Sequence, residues 1–310
     1  MSKPANLGIV AFVMTAMAII TTQEASVKLL TEHVSIWQLH VIRSILVIGF
    51  AFAVGHFIAG LEVRRLESFK WALIRSLLFS TAFFLLYSGL PFLSLAQSGA
   101  VFFTAPLFIT LFAALFLGES IGPRRVAALV LGFSGVLVTA QPWNETINAA
   151  ILFPLCGALA YAGGVMVTRG RCNSESALSL QVAHHSIFGV ISLIGLIAVL
   201  IVKPDTGPDG ELAFLLGGWS SFCLVVALLI VANALTNFVG AFMLTYAYQN
   251  NEASGIAPLE YSYLAVAPIL DMLIWGALPG WSTLIGIILV ASSGVFIAIR
   301  SAEVEEAEAA

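Results

Sequence analysis

Ser98–Val138 reads SGAVFFTAPLFITLFAALFLGESIGPRRVAALVLGFSGVLV, two apolar runs joined by a polar elbow at Gly118-Glu119-Ser120-Ile121-Gly122-Pro123-Arg124-Arg125. The first run carries Pro106 in its interior. A second stretch, Ser254–Ile297, echoes it: SGIAPLEYSYLAVAPILDMLIWGALPGWSTLIGIILVASSGVFI. Ser98-Gly99 aligns with Ser254-Gly255, the elbow glycines Gly118 and Gly122 with Gly276 and Gly280, and Gly135-Val136 with Gly294-Val295. Self-similarity at this separation sets an architecture before any single residue does.

The surrounding chain has 310 residues, of which 60% are hydrophobic and 10% charged. Its mean hydropathy is +1.01. Soluble domains carry about 25% charged residues, so this composition reads as an integral membrane protein. A helix needs about 20 apolar residues to cross the hydrocarbon. Ten such segments are predicted, near 6–30, 36–60, 70–91, 95–117, 122–140, 147–168, 177–202, 220–247, 253–277 and 281–299. Lys203–Glu211, KPDTGPDGE, reads as a solvated loop, because its prolines and glycines break regular structure. Lys3 before an apolar run, with Ala16-Met17-Ala18, resembles a signal-peptide pattern. The run continues to Ile20, however, and removing it would break the repeat, so it reads as a span.

Lys and Arg in the loops set orientation. With a cytoplasmic N-terminus that side holds Lys3, Arg64, Arg65, Lys70, Arg75, Arg124, Arg125, Arg169, Arg171 and Arg300, and the other only Lys28 and Lys203. Both termini are therefore expected in the cytoplasm. The echo pairs segments 4–5 with segments 9–10, giving units of five spans. Five is odd, so the second unit enters the membrane from the opposite side. The expected fold is all-α: ten transmembrane helices as two inverted five-helix repeats, 1–140 and 147–300, with an acidic tail at 301–310. Inverted repeats are the mark of alternating-access transporters.

The run ending Leu117-Gly118-Glu119, the basic elbow and Gly132-Phe133-Ser134-Gly135-Val136 resemble the drug/metabolite transporter superfamily, bacterial EamA type. Lys28 and Arg43 also sit where that family usually has a Lys and an Arg. The second copy departs from the pattern, with Gly276-Ala277 in place of Gly-Glu. The resemblance implies ten helices, a bacterial inner-membrane location and carriage of small organic metabolites, from amino acids to vitamin-like solutes.

Ionisable groups inside spans are costly and usually face the bundle interior or a wet cavity. Arg43 and His40, one turn apart on segment 2, read either as an anion site or as structure, with Arg43 satisfying carbonyls or pairing with Glu24. Glu24 and Lys28, at i and i+4, are also placed to pair with each other. Glu260, Tyr263 and Asp271 fall near one line of an ideal helix, a stripe expected to face a cavity. Glu260, Asp271 and His184 are the proton-coupling candidates. Gly99 and Pro106 in segment 4, with Gly255, Pro258 and Pro268 in segment 9, are matched interruptions of the kind that mark a transporter's site, and Phe103 and Thr104 belong there. Asn233 and Asn237 form a polar face that binds solute or joins helices. Tyr87, Trp275 and Trp281 read as interfacial aromatics.

Cys156, Cys172 and Cys223 show neither a disulfide framework nor a metal spacing. No cofactor or metal is expected. No basic-aromatic run suggests nucleic acid, no phosphate-binding loop suggests ATP, and no catalytic set or filter-like stretch favours a membrane enzyme or a channel. The expected partners are a small-molecule solute and the lipid bilayer, and a homodimer is compatible with the sequence.

Overall fold

A computed structural model of the chain describes residues 7–58, 61–93, 95–118, 122–140, 149–207, 212–276, 280–282, 284–286, 288–289 and 292. Residues 119–121 of the first elbow, with Glu119 among them, residues 277–279 of the second, most of the tenth segment and the acidic tail lie outside them. Every regular element among the described residues is helical: α1 (Leu7–Leu30), α2 (Ile36–Phe57), α3 (Phe69–Gly89), α4 (Leu95–Phe102), α5 (Ala105–Leu117), α6 (Pro123–Ala140), α7 (Leu152–Arg171), α8 (Ala177–Val202), α9 (Ala213–Leu216), α10 (Leu224–Asn250), α11 (Ala253–Ile256) and α12 (Tyr263–Trp275). Short 3₁₀ turns at Ala149–Ile151 and Ala257–Ser262 precede α7 and α12.

Among the described residues, six helices are long and apolar enough to span a bilayer: α1, α2, α3, α7 with its leading turn, α8 and α10. Their outward faces carry large apolar side chains, among them Ile45, Phe52, Val190, Ile194 and Leu228. Exposed apolar surface on this scale belongs against lipid. The chain is a multi-pass membrane protein.

Local chemistry sets the breaks. Ser35 caps α2, its Oγ accepting the Gln38 amide at 3.2 Å. Segment 4 divides into α4 and α5 at Phe103-Thr104. Pro106 has no N–H to bond the Phe102 carbonyl, and the chain tightens instead, Thr104 N donating to Val101 O at 3.1 Å. Segment 9 divides likewise, with α11 passing through the Pro258-containing 3₁₀ turn into α12. Gly118 and Gly276 end α5 and α12 at φ 67° each, the left-handed region that suits glycine.

In lipid, helices associate through close packing and interhelical hydrogen bonds. The closest packing pairs α3 with α7, α2 with α8 and α1 with α10. A Cβ on Gly157 of α7 would stand 2.9 Å from the Ala82 carbonyl oxygen of α3, so the backbones touch. Asn233 of α10 donates to Gln23 O (3.0 Å) and Ser26 Oγ (2.8 Å) of α1. It joins helices and does not line the cavity described below. Asn233→Ala is expected to lower stability by about 0.6–1.7 kcal/mol, the range of such bonds in bilayers, read as a fall in melting temperature in detergent with solute binding unchanged.

At the face from which α1 enters, residues 61–68 strap across the α7–α8 turn. Glu175 accepts the amides of Glu67 (3.1 Å) and Ser68 (2.8 Å). Ser179 Oγ accepts from Arg64 N at 2.8 Å and donates to Arg64 O at 2.9 Å. Gln249, at the end of α10, donates to Cys172 O (2.7 Å) and Glu175 O (2.8 Å).

Candidate solute cavity

A cavity lies between α1, α3, α7, α8, α10 and the broken segments 4 and 9. Its volume is about 80 Å³, room for several waters at roughly 10–15 Å³ each. Phe79, Phe83, Phe102 and Phe103 supply much of its wall, with Met17, Ile20, Val165 and Leu244. Tyr161 meets Phe79 and Phe102 edge-on, each pair with ring centroids 5.4 Å apart.

Two carboxyls enter this aromatic wall, Glu24 from α1 and Glu260 from the 3₁₀ turn. Both are buried within the protein. Glu260 Oε1 accepts the hydroxyls of Tyr161 (3.3 Å) and Tyr248.

The opposite charge comes from Arg75. Its Nε donates to Thr168 Oγ1 of α7 (2.8 Å) and its Nη2 to Thr245 Oγ1 of α10 (3.0 Å). The guanidinium carbon sits 4.7 Å from the Phe79 ring centroid. Among the described residues the one ion pair is Arg64–Glu62, on the surface. Arg75 therefore has no carboxylate partner there. It was expected among the loop cations, yet it is 5% exposed and faces the cavity. At 1.5 Å per residue it stands about 9 Å inside the start of α3.

His184, His185, Gln181 and Asn237 complete the lining. His185 Nε2 lies 3.1 Å from Asn237 Oδ1 and its Nδ1 lies 3.4 Å from Ser44 Oγ. His184 Nδ1 has no hydrogen-bond partner among the described residues.

Of the residues singled out in the sequence, Phe103, His184, Asn237 and Glu260 line this cavity. Arg43 and His40 are buried but stand behind its wall. Arg43 lies over Tyr87 (5.5 Å) and Phe188 (5.3 Å), and its Nε and Nη1 have no hydrogen-bond partner among the described residues. The His40 ring packs 4.5 Å from that of Phe188. Thr104 Oγ1 donates to Val101 O at 2.9 Å, closing the helix break. Tyr263 packs against Phe103 at 4.5 Å and fills the space beside Gly99. Asp271 is partly buried on α12, and Lys28 lies 5.1 Å from the Trp275 ring centroid. The stripe of Glu260, Tyr263 and Asp271 is thus broken. Glu260 faces the cavity from the 3₁₀ turn, and Tyr263 and Asp271, on α12, do not line it. Glu24 and Lys28 form no ion pair among the described residues. Tyr87, expected at an interface, is fully buried and bonds Gln23 at 3.3 Å. Sequence reasoning did not single out Arg75, Tyr161, Thr168, Thr245 or Tyr248. Their signal was a polar atom within an apolar run, the same signal that flagged Glu260.

Residues 6–141 match the EamA-like transporter family. That match covers somewhat less than half of the chain. Among the curated relatives of this EamA-like chain, a riboflavin transporter of Rhizobium johnstonii is 30% identical over 68% of this chain and 64% of its own length. An S-adenosylmethionine uptake transporter of Rickettsia felis is 27% identical over 67% and 65%. A riboflavin transporter of Vibrio cholerae is 26% identical over 75% and 72%. The match to the first two thus spans slightly under two thirds of their length. A solved crystal structure of a protein shares the fold at a TM-score of 0.71 and 16% identity, over 96% of this chain and 97% of that one.

Proposed function

We propose that this EamA-like chain is a secondary transporter, not an enzyme, that moves a small organic solute across the bacterial inner membrane by alternating access. The observation that carries the reading is the aromatic cavity at the two broken segments, lined by Glu24, Glu260 and Arg75. The names of the relatives support it, riboflavin and S-adenosylmethionine both being ring compounds with polar arms. Aromatic walls suit the ring, and separated charges suit the arms.

The architecture in this proposal is ten helices in two inverted units, 1–140 and 147–300, followed by the acidic tail at 301–310. Exchanged packing supports it. α3 packs on α7 as α10 packs on α1, and α3 on α8 as α10 on α2, while α2 and α8 pair with each other. That pattern is expected of a two-fold relating the first unit to the second. The matched left-handed glycines, Gly118 and Gly276, support it too. Two similar halves have similar energies facing either way, so a site between them opens to each side in turn.

In this mechanism the aromatic wall holds the solute, and Glu260 takes and releases a proton as the solute leaves and enters. The termini are cytoplasmic. A thermal-shift screen of the purified protein against riboflavin, S-adenosylmethionine and amino acids tests the site. Saturation at 100 Kd stabilises by about 2.7 kcal/mol, a shift of several degrees. Stabilisation that survives Phe79→Ala and Phe102→Ala together would place solute elsewhere.

A further inference from the structure

We propose that two matched clasps, one at each end of the α2–α8 pair, are the gates of the two membrane faces and open in turn. This rests on the reading of the chain as two inverted units that work by alternating access. The third residue of α2 is Gln38, and the third residue of α8 is Ser179. Each side chain holds both the N–H and the C=O of one residue in a connecting strap. Ser179 Oγ accepts from Arg64 N (2.8 Å) and donates to Arg64 O (2.9 Å). Gln38 Oε1 accepts from Ser220 N (3.0 Å), and its Nε2 donates to Ser220 O (2.7 Å). Arg64 lies between α2 and α3, and Ser220 between α8 and α10. The strap of each unit is therefore clasped by a helix of the other. The chain leaving α2 lies on the start of α8, and the chain leaving α8 returns to the start of α2, so the two helices run antiparallel. The 22 residues of α2, about 33 Å of helix, separate the clasps.

Neighbouring bonds reinforce each clasp. Beside Ser179, Ser176 Oγ donates to Glu62 O at 2.7 Å, and Glu175 accepts the amides of Glu67 and Ser68. Beside Gln38, Trp37 Nε1 donates to Leu215 O at 2.8 Å, and Ser220 Oγ lies 3.0 Å from His33 O. The clasping side chains are buried, Gln38 at 0% and Ser179 at 3% exposure. A buried polar group that loses its partner carries its full desolvation cost unless water takes the partner's place. A clasp therefore breaks as its face becomes wet and re-forms as that face dries. Both clasps are made here, which is the closed arrangement between the two open ones.

The test is N-ethylmaleimide alkylation of two buried reporters, one at each clasp, in the full-length protein. Cys172, in one apolar cluster with Leu66 of the first strap, is the native reporter in a Cys156→Ala, Cys223→Ser background. Val34→Cys, beside Ser35 in the α1–α2 turn, is the reporter at the other end, with all three native cysteines replaced. Ser179→Ala is expected to speed alkylation of Cys172 about threefold or more and to slow that of the Val34→Cys reporter, because favouring one open state depletes the other. Gln38→Leu is expected to do the reverse. Ser176→Ala and Trp37→Phe each remove a single reinforcing bond and decide the point if a stronger variant does not fold. Faster alkylation of both reporters in one variant, a rise at one end with no fall at the other, or no change in folded variants overturns the proposal. Reciprocal alkylation in protein that shows no counterflow keeps the paired clasps and removes the transporter reading. Counterflow without reciprocity does the opposite.

Discussion

Glu260→Gln is expected to abolish the pH-gradient dependence of uptake while leaving exchange of solute for solute in place. The glutamine keeps the shape of the side chain and an oxygen to accept from Tyr161 and Tyr248, but it cannot ionise. A carboxyl buried at a broken helix is worth its cost in a membrane when its charge state changes during work. In proteoliposomes loaded with riboflavin as the probe, an imposed pH gradient is expected to raise wild-type uptake. The variant is expected to lose that increment by about tenfold or more, equivalent to roughly 1.4 kcal/mol of driving force. Retained gradient dependence in Glu260→Gln would remove this residue from the coupling step, and Glu24 would be the carboxyl left facing the cavity.

Gly157→Val is expected to be the most disruptive of the packing substitutions. The contact it meets is the Ala82 carbonyl oxygen, 2.9 Å from a Cβ at this position. Backbone cannot rotate away as a side chain can, so α3 and α7 must separate. Overpacking costs about 1–3 kcal/mol, and here the strain falls on the helices that carry Arg75, Phe79 and Tyr161. The variant is expected to melt several degrees lower and to bind solute more weakly. Gly49→Ala is the control, because nothing lies within 4 Å of the new methyl. Equal melting temperatures for the two variants would contradict the close α3–α7 approach.

The long helices were legible because apolar runs are long and their ends carry strong signals. Segments 1–3 and 6–8 fall within a few residues of α1, α2, α3, α7, α8 and α10. The matched interruptions were legible too, since a proline cannot complete the backbone ladder wherever the helix sits. The angular position of side chains past those breaks was not. The reading of Glu260, Tyr263 and Asp271 as one stripe assumed one continuous helix, whereas Glu260 stands in the 3₁₀ turn at Ala257–Ser262 and Tyr263 opens α12 with its ring against Phe103. Arg75 was lost for a different reason. It lies close to Lys70 and the start of α3, so a count of flanking cations absorbs it. Only the fold shows that its hydrogen-bond partners at that depth are Thr168 and Thr245. Arg43 was found as a buried charge, but the sequence does not show which side of the aromatic wall it occupies. Asn237 and Asn233 make the same point. They stand four apart on α10, yet one bonds His185 at the cavity and the other holds α1.

Counterflow tests the central claim most directly. Proteoliposomes are loaded with unlabelled riboflavin, diluted into a trace of labelled riboflavin, and compared with S-adenosylmethionine under the same protocol. A carrier with one cavity open to alternate sides is expected to give transient accumulation of label above its outside concentration, lost in the Phe79→Ala, Phe102→Ala double variant. Absence of any overshoot with both solutes, in protein that a thermal shift shows to bind one of them, would contradict alternating access through this cavity.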